Sequence, residues 1–124
     1  MIGAREPLDP EIVAALRRAG EQLGNQELLA QLAGLFTDNA PLRLEEIRGA
    51  IGRRDAPRAE RAAHTLRTNC AVLGASELAA CCGRLEEAAA CADFDAASAR
   101  LAEAEDRLPD VLAAVTALAA EKSD

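Results

Sequence analysis

The sequence predicts an all-α protein: an antiparallel up-down-up-down four-helix bundle with a short N-terminal helix covering one end. Half of the 124 residues are apolar, mainly Ala and Leu, which are strong helix formers, and aromatic residues make up only 2%. Few segments are rich in β-branched residues, so strands have little support. The apolar residues recur at helical spacing in long segments joined by short loops. Such amphipathic helices must run antiparallel to bury their apolar stripes together.

The length suits one domain over 1–124, with the bundle over about 25–119 and loose termini at 1–8 and 121–124. The net charge of −7 argues against nucleic acid as a general partner. No apolar run reaches the ~20 residues that a membrane span needs, and the N-terminus lacks the pattern of a secretory signal. We therefore expect a cytoplasmic monomer that binds neither nucleic acid nor membranes.

The first helix is predicted to be short. Asp9, Pro10 and Glu11 have the residue types of an N-cap, a first-turn proline and a first-turn acid. We expect the helix to end near Ala19, before a glycine-bracketed loop over 20–24.

The second helix is long and contains a proline. Asn25 is predicted to cap it, and Gly52 ends it. Its apolar stripe consists of Leu28, Leu29, Leu32, Leu35, Phe36, Leu44, Ile47, Ala50 and Ile51. Pro41 removes one helical hydrogen bond, and we expect a kink because the periodicity resumes beyond it. The alternative is two helices that meet near Asn39.

The third and fourth helices are predicted from their caps. Asp55 caps the third helix, which ends near Leu73, where Gly74 can take the left-handed conformation. Ser76 is predicted to cap the fourth helix. Gly83 inside that helix is unfavourable relative to alanine, and a close approach between helices would explain it. The apolar positions of the fourth helix are Leu78, Cys81, Cys82, Leu85, Ala88 and Ala89.

The fifth helix is predicted to begin after the cap Asp93, and Pro109 should bend it or split off a last short helix. Its inner positions are Phe94, Ala97, Leu101, Ala104, Leu108, Val111 or Leu112, Val115 and Leu118. The four cysteines lie within helical patterns, and two of them are adjacent, which suits neither a mutual disulfide nor a metal site of the C-x-x-C type. We expect buried free thiols. A cysteine-based metal or redox bundle is a less favoured alternative.

His64 is the single histidine of the chain and lies opposite the apolar stripe of the third helix. At about 100° per residue, its side chain points roughly 150° away from the centre of that stripe. The stripe consists of Ala59, Ala62, Ala63, Leu66, Cys70 and Leu73. We therefore expect an exposed imidazole, with Glu60, Arg61, Arg67 and Thr68 one helical turn away. Spacing alone leaves open that His64 is only a solvated residue.

The surroundings of His64 resemble a known signature. The residues concerned are Ala63-His64-Thr65-Leu66-Arg67, then Val72-Leu73-Gly74-Ala75, then Leu78, Cys81 or Cys82, and Leu85-Glu86. They are similar to the A-H-T-L-K-G, L-G-A and L-x-x-x-C-x-x-L-E elements of histidine-containing phosphotransfer (HPt) domains. The similarity extends from about Leu28 to Val115. Arg67 stands where the family has lysine, and Thr68 stands where it has glycine.

The resemblance implies the same bundle, with His64 as phosphoacceptor in a phosphorelay. The partners would be response-regulator receiver domains and a hybrid histidine kinase. The receiver would supply Mg²⁺, so the chain would need no cofactor or metal of its own and would have no independent turnover. A histidine is suited to this role because its ordinary pKa of about 6.5 leaves the ring partly neutral near pH 7. The alternative is an HPt-like adaptor that binds a receiver or kinase without accepting phosphate.

Five further residues are candidates for phosphoryl stabilisation or docking. Arg67 and Arg61 would offer charge-assisted hydrogen bonds to phosphoryl oxygens, and Glu60 could orient a ring N–H. Thr68 and Ala71 would form part of the docking face, and the methyl group of Thr68 would narrow the choice of partner. The arginines near the site form a cluster that suits a carboxylate-lined pocket or is simply a solvated helix end: Arg53, Arg54, Arg58, Arg61 and Arg67.

Overall fold

The computed structural model describes residues 6–121 and has five α-helices and no strand within that range. The helices are α1 (Pro10–Gln22), α2 (Leu28–Gly52), α3 (Ala56–Val72), α4 (Ser76–Ala90) and α5 (Phe94–Ala120). Helices α2 and α4 each pack against both α3 and α5, and α1 packs against α2. The predicted all-α class is confirmed. Of the predicted loose termini, 1–5 and 122–124 lie outside the described residues.

Three of the predicted N-caps are confirmed. The side chains of Asp9, Asp55 and Asp93 accept hydrogen bonds of 2.9, 3.2 and 3.1 Å from backbone N–H groups in the first turns of α1, α3 and α5. Each carboxylate satisfies a donor that has no partner within the helix, and its charge is favourable at the positive end of the helix dipole. The short side chain of aspartate therefore sets where these helices begin.

The predicted caps of α2 and α4 are wrong. Asn25 lies before Glu27, the residue that precedes α2, and its side-chain oxygen accepts from the Glu27 N–H at 3.1 Å, closing a turn upstream of the helix. Ser76 is already the first residue of α4, and its hydroxyl donates to the Gly74 carbonyl at 3.4 Å. Gly74 has the predicted left-handed backbone, with φ of +77°.

Helix α1 continues past its predicted end at Ala19 to Gln22. Gly20 lies inside the helix and is buried, because the chain folds back against it after the loop. A Cβ atom at Gly20 would lie 2.6 Å from the Asn25 carbonyl oxygen, so a side chain there would force the loop away. This glycine therefore permits a close approach and does not mark the helix end.

The two prolines predicted to disturb their helices, Pro41 and Pro109, lie within continuous helices. Helix α2 passes through Pro41 and α5 passes through Pro109, so the alternative of two helices meeting near Asn39 and the split of α5 are both wrong. Each proline costs one backbone hydrogen bond. Burial of apolar residues on both sides of Pro41, including Phe36 and Leu44, favours the continuous helix over a break.

The predicted apolar stripe of α3 is confirmed, since all six of its side chains are buried. In α2 the prediction is wrong for Leu35, whose side chain is 60% exposed. Ala33 and Ala40 take the core positions on that stretch instead. Small side chains in this part of α2 keep the helices close, and the larger leucine is left facing outward.

Three of the four cysteines are buried, as predicted, and all four are free. A hydrogen bond to Cys82 and burial raise the pKa of the Cys70 thiol, and burial raises the pKa of the Cys81 thiol. These groups pack as small apolar side chains. Cys91 is exposed, contrary to the prediction, because it follows the last residue of α4. No cluster within 6–121 has the three His, Cys, Asp or Glu residues that a metal site would need.

Two segments predicted to be loose have defined contacts. Leu8 is buried in the core, and the next N–H, that of Asp9, donates to the Gly74 carbonyl at 2.7 Å. In the middle of α1, Arg17 pairs with Glu121, just beyond α5. Helix α1 and the residue before it thus contact the turn between α3 and α4 and the residue that follows α5.

Candidate functional site

His64 projects into solvent from the middle of α3. Its side chain is 55% exposed, while the alanines and leucine on the opposite side of the helix are buried. The predicted exposure of the imidazole is therefore confirmed. Its position follows from local sequence, because the buried stripe of α3 fixes the rotation of the helix about its axis.

The ring contacts an acidic and a basic side chain through one nitrogen. His64 Nδ1 lies 3.0 Å from Glu86 Oε2, on α4, and 3.1 Å from Arg67 Nη2, on α3. Arg67 Nε in turn lies 3.3 Å from Glu86 Oε1. The three side chains form a closed set in which every member touches the other two.

The two contacts at Nδ1 require different tautomers. If Nδ1 carries the proton, it donates to Glu86, and Nε2 keeps a free lone pair. If Nδ1 is unprotonated, it accepts from Arg67, and the proton sits on Nε2. Within residues 6–121, Nε2 has no hydrogen-bond partner. The first arrangement therefore presents an unprotonated nitrogen to solvent, which is the form needed for a nucleophile.

Glu86 is the site residue that spacing along α3 could not find. It lies 22 residues from His64 on a neighbouring helix, and its side chain is 20% exposed. The signal in the sequence was its place in the Leu85-Glu86 element of the family signature. Glu60, predicted as a possible partner of a ring N–H, is not a partner of the ring in the described part of the chain.

The other predicted site residues, Thr68, Arg61 and Ala71, lie on α3 together with His64. Thr68 is exposed, and its hydroxyl donates to the His64 carbonyl at 3.1 Å, a bond back along the helix that holds its rotamer. Arg61 and Ala71 are exposed on α3. Of the predicted set, the structure brings Arg67 and Thr68 into contact with His64.

Two surfaces adjoin the site. On the α4 side, an open groove is lined by charged and small residues: Glu60, Arg67, Ala80, Gly83, Arg84, Glu86, Glu87 and Ala90. On the α2 side, a shallow apolar pocket contains Leu35, Asn39, Asn69 and Val72 among its lining residues. The groove includes Arg67 and Glu86, the two side chains that contact the ring, and the apolar pocket lies further along α3, at Asn69 and Val72.

The predicted arginine cluster is partly engaged by neighbours. Arg58 Nε lies 3.4 Å from a carboxylate oxygen of Glu46, and the Arg54 guanidinium lies 5.1 Å from the centre of the Phe94 ring. The exposed residues Arg53 and Arg54 occupy the connection between α2 and α3. Arg53, Arg54 and Arg58 thus lie at or before the start of α3, whereas Arg61 and Arg67 lie one turn from His64. No helix within 6–121 is both long and apolar enough to cross a membrane.

Sequence comparison identifies the class of protein to which this site belongs. The family model described as "Hpt domain" matches residues 31–121, and the chain belongs to that family. Among solved structures, the chain is similar to histidine-containing phosphotransfer protein B (HptB) from Pseudomonas aeruginosa PAO1. The two share 24% sequence identity with a TM-score of 0.82, over 92% of this chain and 95% of that one. A comparison with curated proteins finds no match. The predicted family is confirmed, and the structural similarity establishes the HPt-like fold.

Proposed function

We propose that the protein is a phosphorelay intermediate that receives a phosphoryl group on His64 Nε2 and passes it on. The observation that carries the proposal is the arrangement at the exposed ring, where Glu86 contacts Nδ1 and Nε2 has no hydrogen-bond partner within residues 6–121. A carboxylate that accepts a hydrogen bond from one imidazole nitrogen favours the tautomer in which the other nitrogen is unprotonated. Membership in the HPt family supports the same role.

The proposed transfer exchanges one bond for another. The Nε2 lone pair attacks the phosphorus of an aspartyl phosphate on a receiver domain, and an N–P bond forms. The P–O bond to the aspartate breaks, and the electron pair leaves with the carboxylate. The ring retains its Nδ1 proton and becomes positively charged, and Glu86, 3.0 Å away, carries the opposing charge. The reverse sequence returns the phosphoryl group to a receiver.

Arg67 is suited to two tasks in this scheme. Its contact with Glu86 holds the carboxylate in place, and its guanidinium lies beside the ring that would carry the phosphoryl group. A guanidinium forms charge-assisted hydrogen bonds to phosphoryl oxygens. We propose that the receiver provides Mg²⁺ and most of the transition-state stabilisation. HPt proteins are carriers, and this one would need no cofactor and have no turnover alone.

We propose that the apolar surface beside His64 receives the receiver domain. Leu35 on α2 and Val72 on α3 line the apolar pocket and are 60% and 44% exposed. Leu42, two turns after Leu35 on α2, is 59% exposed. Large apolar side chains that remain exposed close together are typical of protein interfaces. Val72 follows Thr68 and Ala71 along α3, so the surface is continuous with the surroundings of the imidazole. Thr68 would contact the receiver at the ring itself.

The packing supports an antiparallel up-down-up-down arrangement of α2 to α5 with α1 across one end. Each of the four long helices packs against two neighbours in a ring. Helix α1 touches the start of α2 near Asn25, the turn at Gly74 and Glu121 beyond α5. These contacts support an arrangement in which the beginning of α2 and the end of α5 lie at the same end as the α3–α4 turn. Helices that alternate in direction have this property.

The experiment is a transfer assay with isolated components. A receiver domain from the same organism, phosphorylated with labelled phosphate, is mixed with the wild-type protein and with His64→Gln. We expect acid-labile label on the wild type and none on the variant. Stable binding of the receiver without any labelling would instead indicate the HPt-like adaptor, and the absence of both from every receiver tested would refute the proposal.

A further inference from the structure

Gly83 lies in the middle of α4, where a glycine weakens a helix relative to alanine. Its backbone gives no reason for this choice, since the glycines with positive φ among the described residues are Gly24 and Gly74. Close packing of helix backbones does not explain it either. A Cβ atom at Gly83 would have only Arg67 side-chain atoms within 4 Å, with Cδ at 3.5 Å and Nη1 at 3.9 Å. The predicted close approach of two helices is therefore wrong, and the neighbour is a single side chain.

The side chain of Arg67 crosses from α3 to α4 over this glycine. Beyond Cδ, its Nε lies 3.3 Å from Glu86 Oε1 and its Nη2 lies 3.1 Å from His64 Nδ1. Gly83 and Glu86 are three residues apart and share one face of α4. The aliphatic part of Arg67 thus lies beside Gly83 while its guanidinium reaches the two other members of the site.

We infer that Gly83 is a positioning residue for the transfer reaction, because its missing side chain provides the space in which Arg67 lies. This inference rests on the proposed function and adds a residue to it. A methyl group at 83 would make ordinary van der Waals contact with Arg67. A longer side chain would compete with the Arg67 methylene groups for the same space and turn the guanidinium away from His64 and Glu86.

The test compares Gly83→Leu with Arg67→Ala and with the double variant. We expect Gly83→Leu and Arg67→Ala each to lower the rate of label transfer about fivefold. Each variant would lose one partly exposed charge-assisted contact at the ring. In the double variant the leucine should cause no further loss, because Arg67 is no longer there to be displaced. Ala102→Leu, at an exposed position of α5, controls for added apolar bulk.

A second measurement does not depend on transfer. The chain has one histidine, so ¹⁵N NMR of the imidazole reports on His64 alone. We expect Gly83→Leu to move the ring signals toward those of Arg67→Ala, and Ala102→Leu to leave them in place. Gly83→Gln repeats both measurements with a polar side chain, in case the leucine promotes association.

The outcomes separate the inference from the proposed function. Failure of the wild type to accept label from any receiver would refute the proposed function, whatever the variants do. If the wild type is labelled, and Gly83→Leu matches it in rate and in ring signals, the inference is overturned. It is also overturned if the leucine slows transfer as much in the Arg67→Ala background, since Gly83 would then act independently of Arg67.

Discussion

Replacement of Glu86 by glutamine tests the central contact of the site. Glutamine keeps the size of the side chain and an oxygen that can accept from Nδ1–H, and it removes the negative charge. The ring would then develop positive charge during phosphorylation without an opposing carboxylate 3.0 Å away. An amide NH₂ could also donate to Nδ1 and stabilise the tautomer with a protonated Nε2.

The size of the effect follows from the geometry. A hydrogen bond to a charged group contributes about 1.5–3 kcal/mol where it is shielded from water. The two side chains are 55% and 20% exposed, so solvent screening reduces this to about 1 kcal/mol. At room temperature that difference corresponds to about a fivefold slower transfer. We expect a fall of this size in the rate of labelling.

The assay is a rapid-quench measurement of labelled phosphoryl transfer from a phosphorylated receiver, at receiver concentrations that saturate the variant. Glu87→Gln is the matched control, because it makes the same change of charge at the next, exposed residue of α4. We expect the control to transfer at the wild-type rate. A Glu86→Gln variant that also transfers at that rate, with unchanged ¹⁵N signals from the ring, would refute the role of the carboxylate.

Three other predictions concern docking, thiol chemistry and stability. Leu35→Asp should weaken receiver binding about tenfold, as measured by calorimetry. The control Leu23→Asp changes a leucine that is 74% exposed and lies outside the proposed interface, and it should leave binding unchanged. Equal effects of the two variants would exclude the proposed surface. At one fixed pH, Cys91 should react with iodoacetamide within minutes, because it is exposed. The three buried thiols should stay unreacted at the same pH in the folded protein, because burial raises the pKa of two of them and blocks access to all three. Rapid reaction of all four thiols would contradict the packing. Asp55→Ala should lower the free energy of unfolding in urea by about 1 kcal/mol through loss of the N-cap of α3, and an unchanged midpoint would show that the cap contributes nothing.

Helix α3 and the face of it that carries His64 could both be predicted from the sequence, because the spacing of residues within the helix determines them. The six residues of its predicted apolar stripe recur regularly and are all buried, so the exposure of His64 follows from rotation about the helix axis. The confirmed aspartate caps are equally local. Prediction succeeded where the deciding contacts lie within one or two turns.

Prediction failed where the deciding contact comes from another element. Leu35 has a suitable spacing for burial, and the neighbouring helices instead pack on the smaller Ala33 and Ala40. The partner of His64 Nδ1 is Glu86 on α4, whereas spacing along α3 offered only Glu60. Asn25 closes a turn ahead of α2 because the loop packs against Gly20. Each failure reflects packing between segments that are distant in sequence.

The chain has a single imidazole, and that imidazole stands on one face of the molecule. Under the proposed function, each molecule therefore stores at most one phosphoryl group, and a donor must depart before an acceptor can take its place. The number of phosphoryl groups that can be held at one time then depends on how many copies of the protein a cell makes. Receivers compete for one docking surface, and this competition determines which receiver is phosphorylated. The abundance of the receivers and their relative affinities for this surface, more than any property of the ring, would set the direction of phosphoryl transfer.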